Sequence, residues 1–377
     1  MTRRRTVKIL SLAAALVLFF SFSQMYFWRC NSHNELRLYG FRMEKENSLD
    51  VVLLGASDIY AYSAPLAYSQ QGFTSYPYVV SACSVCYWKA MLEDILAHQN
   101  PRLIVVETTG ACYDTPRELH NNGALHYILD GMPFGQKLRA VRPLLTEEND
   151  SAAAFLFPGL KYHSNWNTPE DLKANYRNVR MLQKQGYAIL RGTYTSRFAI
   201  GLQTELRNLE NDRSERPLDR EAEQALRKFL DFCREKELPV LFTCFPHQIT
   251  TEDDEVYRDF KRTNTIGKIV EEYGFPFLNM ETLSDEIGID PERDYYNRTH
   301  LNLYGQQKLT EYLARYIGEE VGLVPRVQNA EQTRAWEESS DYYTRYCRYI
   351  EETPADPDAL FSETDELMRE LREMNGP

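Results

Sequence analysis

Cysteine is scarce in this chain, and no long basic run occurs. Seven cysteines in 377 residues are too few and too scattered for a disulfide scaffold, and an odd number leaves at least one unpaired. Cys83-Ser84-Val85-Cys86 has the spacing of a redox pair or of half a zinc site, but no second pair follows at metal-ligand spacing. Small apolar residues at a strand-to-helix junction, or one short disulfide, account for it. No patch of Lys and Arg interleaved with aromatics is present, which argues against nucleic acid as a partner. There is no Gly-rich phosphate loop and no internal repeat, so neither a cofactor nor a metal is expected. The net charge of -12 is largely a property of residues 331–377, which hold 13 acids against 5 bases, two-thirds of the excess.

What is present starts with one apolar run. Arg3, Arg4, Arg5 and Lys8 precede Ile9 to Trp28, which is apolar except for scattered Ser and one Gln. About 20 such residues suffice for a helix to cross a bilayer. No small-x-small cleavage site follows, so residues 1–30 are expected to be an uncleaved signal anchor. The basic flank then stays in the cytoplasm, Tyr26, Phe27 and Trp28 form an outer aromatic belt, and the rest of the chain is extracytoplasmic.

From Asp50 strands and helices alternate. Val51 to Gly55, Tyr76 to Ser81, Leu103 to Thr108, Val240 to Phe245 and Phe277 to Met280 are short apolar runs bounded by turn residues, the pattern of buried strands. Between them, helical spacing is legible in Trp88, Met91, Leu92, Ile95 and Leu96, in a helix starting at Asp219, and in one from about Glu255 to Tyr273. A closing helix begins at Asn302, a good N-cap. Residues 48–325 therefore predict an α/β domain with about five parallel strands in a three-layer α/β/α sandwich.

Residues 111–217 break the alternation. They are too many for a structureless loop and predict a helical insertion capping the crevice beyond the strand ends, with Arg117, His126 and His163 among its substrate-facing residues. Residues 326–377 predict an acidic helical extension with Trp336, Tyr343, Cys347 and Ile350 on one stripe.

The chemistry-bearing stretch is Leu53-Leu54-Gly55-Ala56-Ser57. Gly55 permits a sharp turn, and Ser57 falls at the carboxyl end of a central strand, where ligands collect in open α/β sheets. A serine needs a base to become a nucleophile, and His300 in Asp294-Tyr295-Tyr296-Asn297-Arg298-Thr299-His300-Leu301-Asn302 is the partner. Either Asn297 or Asp294 is expected to orient the other ring nitrogen. Backbone amides near Ser57 and Ala82 are the expected oxyanion donors.

Gly55-Ala56-Ser57 after a first strand, and His300-Leu301-Asn302-x-x-Gly305 opening the last helix, resemble the first and last blocks of the SGNH/GDSL hydrolase superfamily. Lys161 to Trp166 and Lys184 to Tyr187 are similar to segments of its membrane-anchored branch, the one including the teichoic-acid D-alanyl transfer protein DltD. The similarity covers residues 48–318. It implies a flavodoxin-like sheet, Ser57 as nucleophile and His300 as base, with Asn297 where the family pattern has Asp. The middle oxyanion blocks depart from the pattern, reading Ser81-Ala82-Cys83-Ser84 and Glu107-Thr108-Thr109-Gly110. The expectation is an exported, membrane-tethered serine esterase or O-acyltransferase acting on an acylated cell-envelope glycan or teichoic acid. Two rivals are a scaffold protein of an envelope-modification complex that kept the fold, and a cation-dependent hydrolase using Asp58, Asp294 and His300.

Overall fold

Five parallel strands form the central sheet: β1 (Val51–Gly55), β2 (Ser75–Val79), β3 (Leu103–Glu107), β4 (Val240–Cys244) and β5 (Phe277–Asn279), in the order β2-β1-β3-β4-β5. The structure is a computed structural model describing residues 3–27, 29–30, 32–161, 168–196, 198–202, 204–252 and 255–352. Val52 lies between Tyr76 and Ile104, and Val105 pairs with Leu241. Every residue of β1 to β4 is buried, as strands covered by helices on both faces must be. The strand order reverses between β1 and β3, so the crevice for a ligand opens beyond Gly55 and Glu107.

The helices follow in chain order as α1 (Arg3–Phe27), α2 (His33–Met43), α3 (Ala64–Gln71), α4 (Val85–Leu96), α5 (Pro116–Leu119), α6 (Asn122–Gly131), α7 (Phe134–Leu144), α8 (Ala152–Leu156), α9 (Pro158–Lys161), α10 (Pro169–Gln185), α11 (Arg220–Glu235), α12 (Glu255–Glu272), α13 (Ser284–Ile287), α14 (Leu303–Glu319) and α15 (Ala330–Glu352). Right-handed crossovers put α4, α11 and α12 on one face and α3 and α14 on the other; α4 packs on α11, and α3 on α14. A small antiparallel hairpin, β6 (Tyr295–Asn297) and β7 (His300–Leu301), stands just before α14. Helix α15 covers α3, stacking Trp336 on Tyr68 at 5.2 Å and sending the Tyr343 hydroxyl to Gln306 Oε1 at 2.9 Å.

The structure alters two expectations and adds one element. The apolar helix anticipated over residues 1–30 is present as α1, 25 residues long, but among the described residues no helix is long and apolar enough to cross a membrane. Arg3 to Arg5 and Lys8 take up its first turns, while Leu10, Leu16, Leu18, Phe19 and Phe22 are exposed. The insertion is helical as anticipated, but α6 packs on α2 and α7 on α4, and what the insertion brings to the crevice is its later stretch, Tyr194, Thr195 and Ser196. Helix α2 was not anticipated, although Ser32-x-x-Glu35 spells the capping box that starts it. Residues 353–377 lie outside the described residues.

Candidate functional site

Local chemistry places Ser57 and His300. Strand β1 ends at Gly55, where a Cβ would sit 2.9 Å from the Glu107 carbonyl oxygen and 2.9 Å from Ile59 Cδ1. Only glycine lets β1 close on β3 there, and the chain then turns into a 3-10 segment, Ser57–Ala61, that presents Ser57 to the crevice. On the other side, Asn302 caps α14 by accepting from the amides of Tyr304 and Gly305 while its Nδ2 donates to the carbonyls of Phe198 and Arg293. Gly305 passes so close that a Cβ would lie 2.6 Å from the Asp294 carbonyl oxygen. The sequence His-x-Asn-x-x-Gly thus anchors the hairpin carrying His300.

The two side chains meet. His300 Nε2 is 2.8 Å from Ser57 Oγ, and His300 Nδ1 is 2.9 Å from Asn297 Oδ1. The Asn297 amide is oriented by Thr299, whose backbone N–H donates to the same Oδ1 at 2.9 Å. An acceptor on Nδ1 fixes the proton there and leaves the Nε2 lone pair for the Ser57 hydroxyl. Burial holds the His300 pKa below its ordinary value, with the His247 charge in the same direction and the Asp58 charge opposing. The ring is therefore neutral at pH 7, the form a general base needs.

These residues open on a cavity of about 280 Å³ with an aromatic wall. Tyr60, Tyr194, Tyr296 and His33 line it with Ser81, Thr195, Ser196 and Leu301. The wall is braced: the Tyr60 hydroxyl is 2.8 Å from Ser81 Oγ and 3.1 Å from His33 Nε2, and the His33 ring stacks on Tyr194 at 5.1 Å. Burial, with the nearby Arg37 charge, pushes His33 down to about 3, so it remains neutral.

Beneath Ser57 lies a charge cluster that the sequence reading did not assemble. His247, just past β4, meets Asp58 Oδ1 through Nε2 at 2.8 Å and Glu281 Oε1 through Nδ1 at 2.6 Å. Burial alone would neutralise this ring, but the Glu281 charge and the hydrogen bonds the ring donates to both carboxylates raise its pKa well above the ordinary value. Burial pushes Asp58 up, yet the hydrogen bond and charge of His247 outweigh it and hold Asp58 below the usual range. Glu107, at the end of β3, is wholly buried; desolvation and the Asp58 charge push it up to about 8. The signal for His247 was its position after a strand, in Phe245-Pro246-His247.

The remaining candidates fall elsewhere, with one exception. Asp294 does not orient His300: it is fully buried, accepts from the Asp290 amide at 2.7 Å and pairs with Lys308 at 2.6 Å. The chain between Asp294 and His300 is a hairpin rather than a helical turn, which points Asp294 away. Gly110 belongs to the packing, since a Cβ there would lie 2.2 Å from the Cys83 carbonyl oxygen. Arg117 is exposed on α5, and His126 is buried on α6, stacked on Phe155 at 4.0 Å and bonded to Asp150; neither lines the cavity. His163 lies outside the described residues. Ala82 is the exception, following the cavity-lining Ser81 with φ 51°, a left-handed conformation that a non-glycine residue holds only where its surroundings impose it.

All seven cysteines are free thiols, and Asp58, Asp294 and His300 do not form a ligand cluster: among the described residues the only group of His, Cys, Asp and Glu close enough to hold a metal is Cys86, His120 and Glu221. No protein-family model matches the chain, and no curated protein matches it.

Proposed function

We propose that the chain is an SGNH-like serine esterase or O-acyltransferase that works through an acyl-enzyme on Ser57. The observation that carries this reading is the 2.8 Å approach of Ser57 Oγ to His300 Nε2, with Nδ1 held by Asn297. Ser57 Oγ attacks the ester carbonyl while its proton passes to His300 Nε2. The tetrahedral oxyanion is met by backbone amides, those of Ser57 and Ala82 being the candidates. His300 then returns the proton to the departing alcohol, and water or an acceptor hydroxyl, deprotonated by the same nitrogen, releases the acyl group.

The substrate we propose is an acylated cell-envelope polymer, a glycan or teichoic acid. An aromatic wall of Tyr60, Tyr194 and Tyr296 suits the apolar face of a sugar or polyol. The exposed apolar side chains of α1 behind a basic flank support attachment of the chain to the cell membrane, with the α/β domain on the extracytoplasmic side and close to such polymers. Asn297 favours a second reading, a scaffold that kept the fold, because a neutral amide orients an imidazole without stabilising its cation.

Reaction of the full chain with a fluorophosphonate probe separates the two. Stoichiometric labelling that disappears in Ser57→Ala and in His300→Ala is expected of the enzyme. Labelling that is absent, or equal in Ser57→Ala, leaves the scaffold.

A further inference from the structure

A second cavity, of about 270 Å³, is lined by Cys86, His120 and Glu221. Cys86 stands in the first turn of α4, His120 ends α5, and Glu221 stands in the first turn of α11. The Cys86 sulfur, a His120 ring nitrogen and a Glu221 carboxylate oxygen all lie within 4.8 Å of one another. His120 is only 8% exposed, its Nε2 faces Glu221 Oε1 at 3.0 Å, and its Nδ1 has no hydrogen-bond partner although it is buried. The Cys83-x-x-Cys86 pair is split by the start of α4: Cys83 Sγ rests in the core against Met91 Sδ at 3.3 Å, whereas Cys86 is partly exposed.

We propose that Cys86, His120 and Glu221 bind one zinc ion, with water in the fourth position. One thiolate, one imidazole and one carboxylate form a mixed S, N, O set that suits tetrahedral zinc and not calcium or magnesium. Glu221 is exposed in the first turn of α11, so its side chain can shift from its 3.0 Å contact with His120 Nε2 to take a place on the ion. Binding displaces the Cys86 thiol proton to solvent. With the ion bound, the single ring proton of a neutral His120 sits on the otherwise unpartnered Nδ1, leaving the Nε2 lone pair for the cation, so the ring releases none and the net release is one proton per ion. Lys89 and Lys228 line the same cavity and oppose a cation, while Glu221 and Asp219 favour one; burial first and then those two carboxylates raise the Cys86 pKa against the Ser84 hydrogen bond and the Lys228 charge. The ion would tie the insertion to α4 and α11, two helices covering the sheet, and it is independent of the Ser57 chemistry.

The test uses metal-stripped full chain, titrated with Zn²⁺ against a chromophoric chelator and separately with Co²⁺. We expect one ion and one released proton per chain, and a thiolate-to-cobalt charge-transfer band. Cys86→Ser removes the band and weakens zinc binding by about 100-fold or more, His120→Ala weakens it similarly, and Cys83→Ser changes neither. Circular dichroism of each variant checks that the fold is retained. No retained ion, a cobalt spectrum without the thiolate band, or a band that survives Cys86→Ser overturns the proposal.

Discussion

Asp58, the residue after Ser57, is held by His247 at 2.8 Å, and the far side of the same imidazole is held by Glu281 at 2.6 Å. The side chains of His247 and Asp58 are 7% and 6% exposed, so the trio is a buried cation between two carboxylates. Removing one partner of such a group leaves charge uncompensated, at a cost of about 3–5 kcal/mol. His247→Ala is expected to lower the melting temperature accordingly at pH 7. The pH dependence has a defined sign. His247 is raised, so its contribution is full below about pH 6.5 and is lost as pH climbs through its folded value. Asp58 is depressed, so its contribution is present above about pH 3.9 and is lost as pH falls through its folded value. In the variant Asp58 loses the partner that holds its pKa down while its burial remains, so it takes up a proton more readily and the deficit against wild type should shrink on acidification towards pH 4. Thermal melts at a series of pH values check this, and a deficit that stays constant contradicts it.

Glu107 gives a separate pH signature. Its Oε1 accepts from the Thr109 amide at 2.9 Å, but its Oε2 is buried without a partner, and the carboxyl is pushed up to about 8 by burial first and the Asp58 charge second. The folded protein therefore keeps a proton that the unfolded chain releases near pH 4.3. Between those values this one group makes stability fall by about 1.4 kcal/mol for each pH unit. Glu107→Gln, close in shape to the protonated acid, should remove that slope and gain on wild type as pH rises from 5 to 8. Chemical denaturation curves that run parallel for the two proteins would refute the assignment.

The sheet was readable because each strand carries its own signal: Val51–Gly55 and Leu103–Glu107 are continuous apolar runs, buried on both faces. Asn302 was readable as an N-cap because its role is local. Ser57 and His300 were paired through the types of residue at two strand and helix ends, although 243 positions separate them. His247 carried the signal of a histidine just past a strand, but nothing in the sequence joined it to Asp58 and Glu281. His247 stands 189 positions from Asp58 and 34 from Glu281, and the three converge only because the strand order aligns the carboxyl ends of β1, β4 and β5. Asp294 misled for the opposite reason. It is near His300 in sequence, but the pairing of Tyr295 with Leu301 turns it towards Lys308. Gly110 and His126 looked like crevice residues by type, and packing claimed both.

Asn297 is the point at which the site departs from a full triad, and it can be reversed. An aspartate there would still accept from His300 Nδ1 and from the Thr299 amide, as Asn297 Oδ1 does at 2.9 Å in each case. It would add a charge that raises the His300 pKa by about 1–3 units. Wild-type labelling by the fluorophosphonate should persist below pH 6.5, because burial lowers His300 and only its neutral form acts as base. In Asn297→Asp the acid limb should move up by about 1–3 pH units while the plateau rate rises by about 10-fold or more. Asn297→Ala should lose about 100-fold or more, since the acceptor that fixes the tautomer is gone and only the Thr299 hydroxyl, 3.0 Å from Nδ1 and able to donate as well as accept, remains beside the ring. Second-order labelling rates measured against pH test all three, and an unshifted limb in Asn297→Asp would show that Asn297 does not govern the base.

The membrane reading stands on α1 and is tested apart from any chemistry. Leu16, Leu18, Phe19 and Phe22 are 60%, 70%, 73% and 71% exposed, a concentration of apolar surface that water disfavours. Burying each in lipid is worth about 1.5–3 kcal/mol, and each basic residue near an anionic surface about 1 kcal/mol. Full-length chain should therefore sediment with vesicles of mixed neutral and anionic lipid. The apolar term is insensitive to screening, so most of the bound fraction should survive 0.5 M salt, where the Debye length falls well below the roughly 8 Å of physiological ionic strength. Changing Leu16, Leu18 and Phe19 together to Ser should release the protein while leaving Ser57 labelling in solution unaltered, because none of the three approaches the cavity. Full-length chain that stays in the supernatant, or that is released by salt alone, would remove the apolar tether and with it the argument that the substrate lies at the membrane surface.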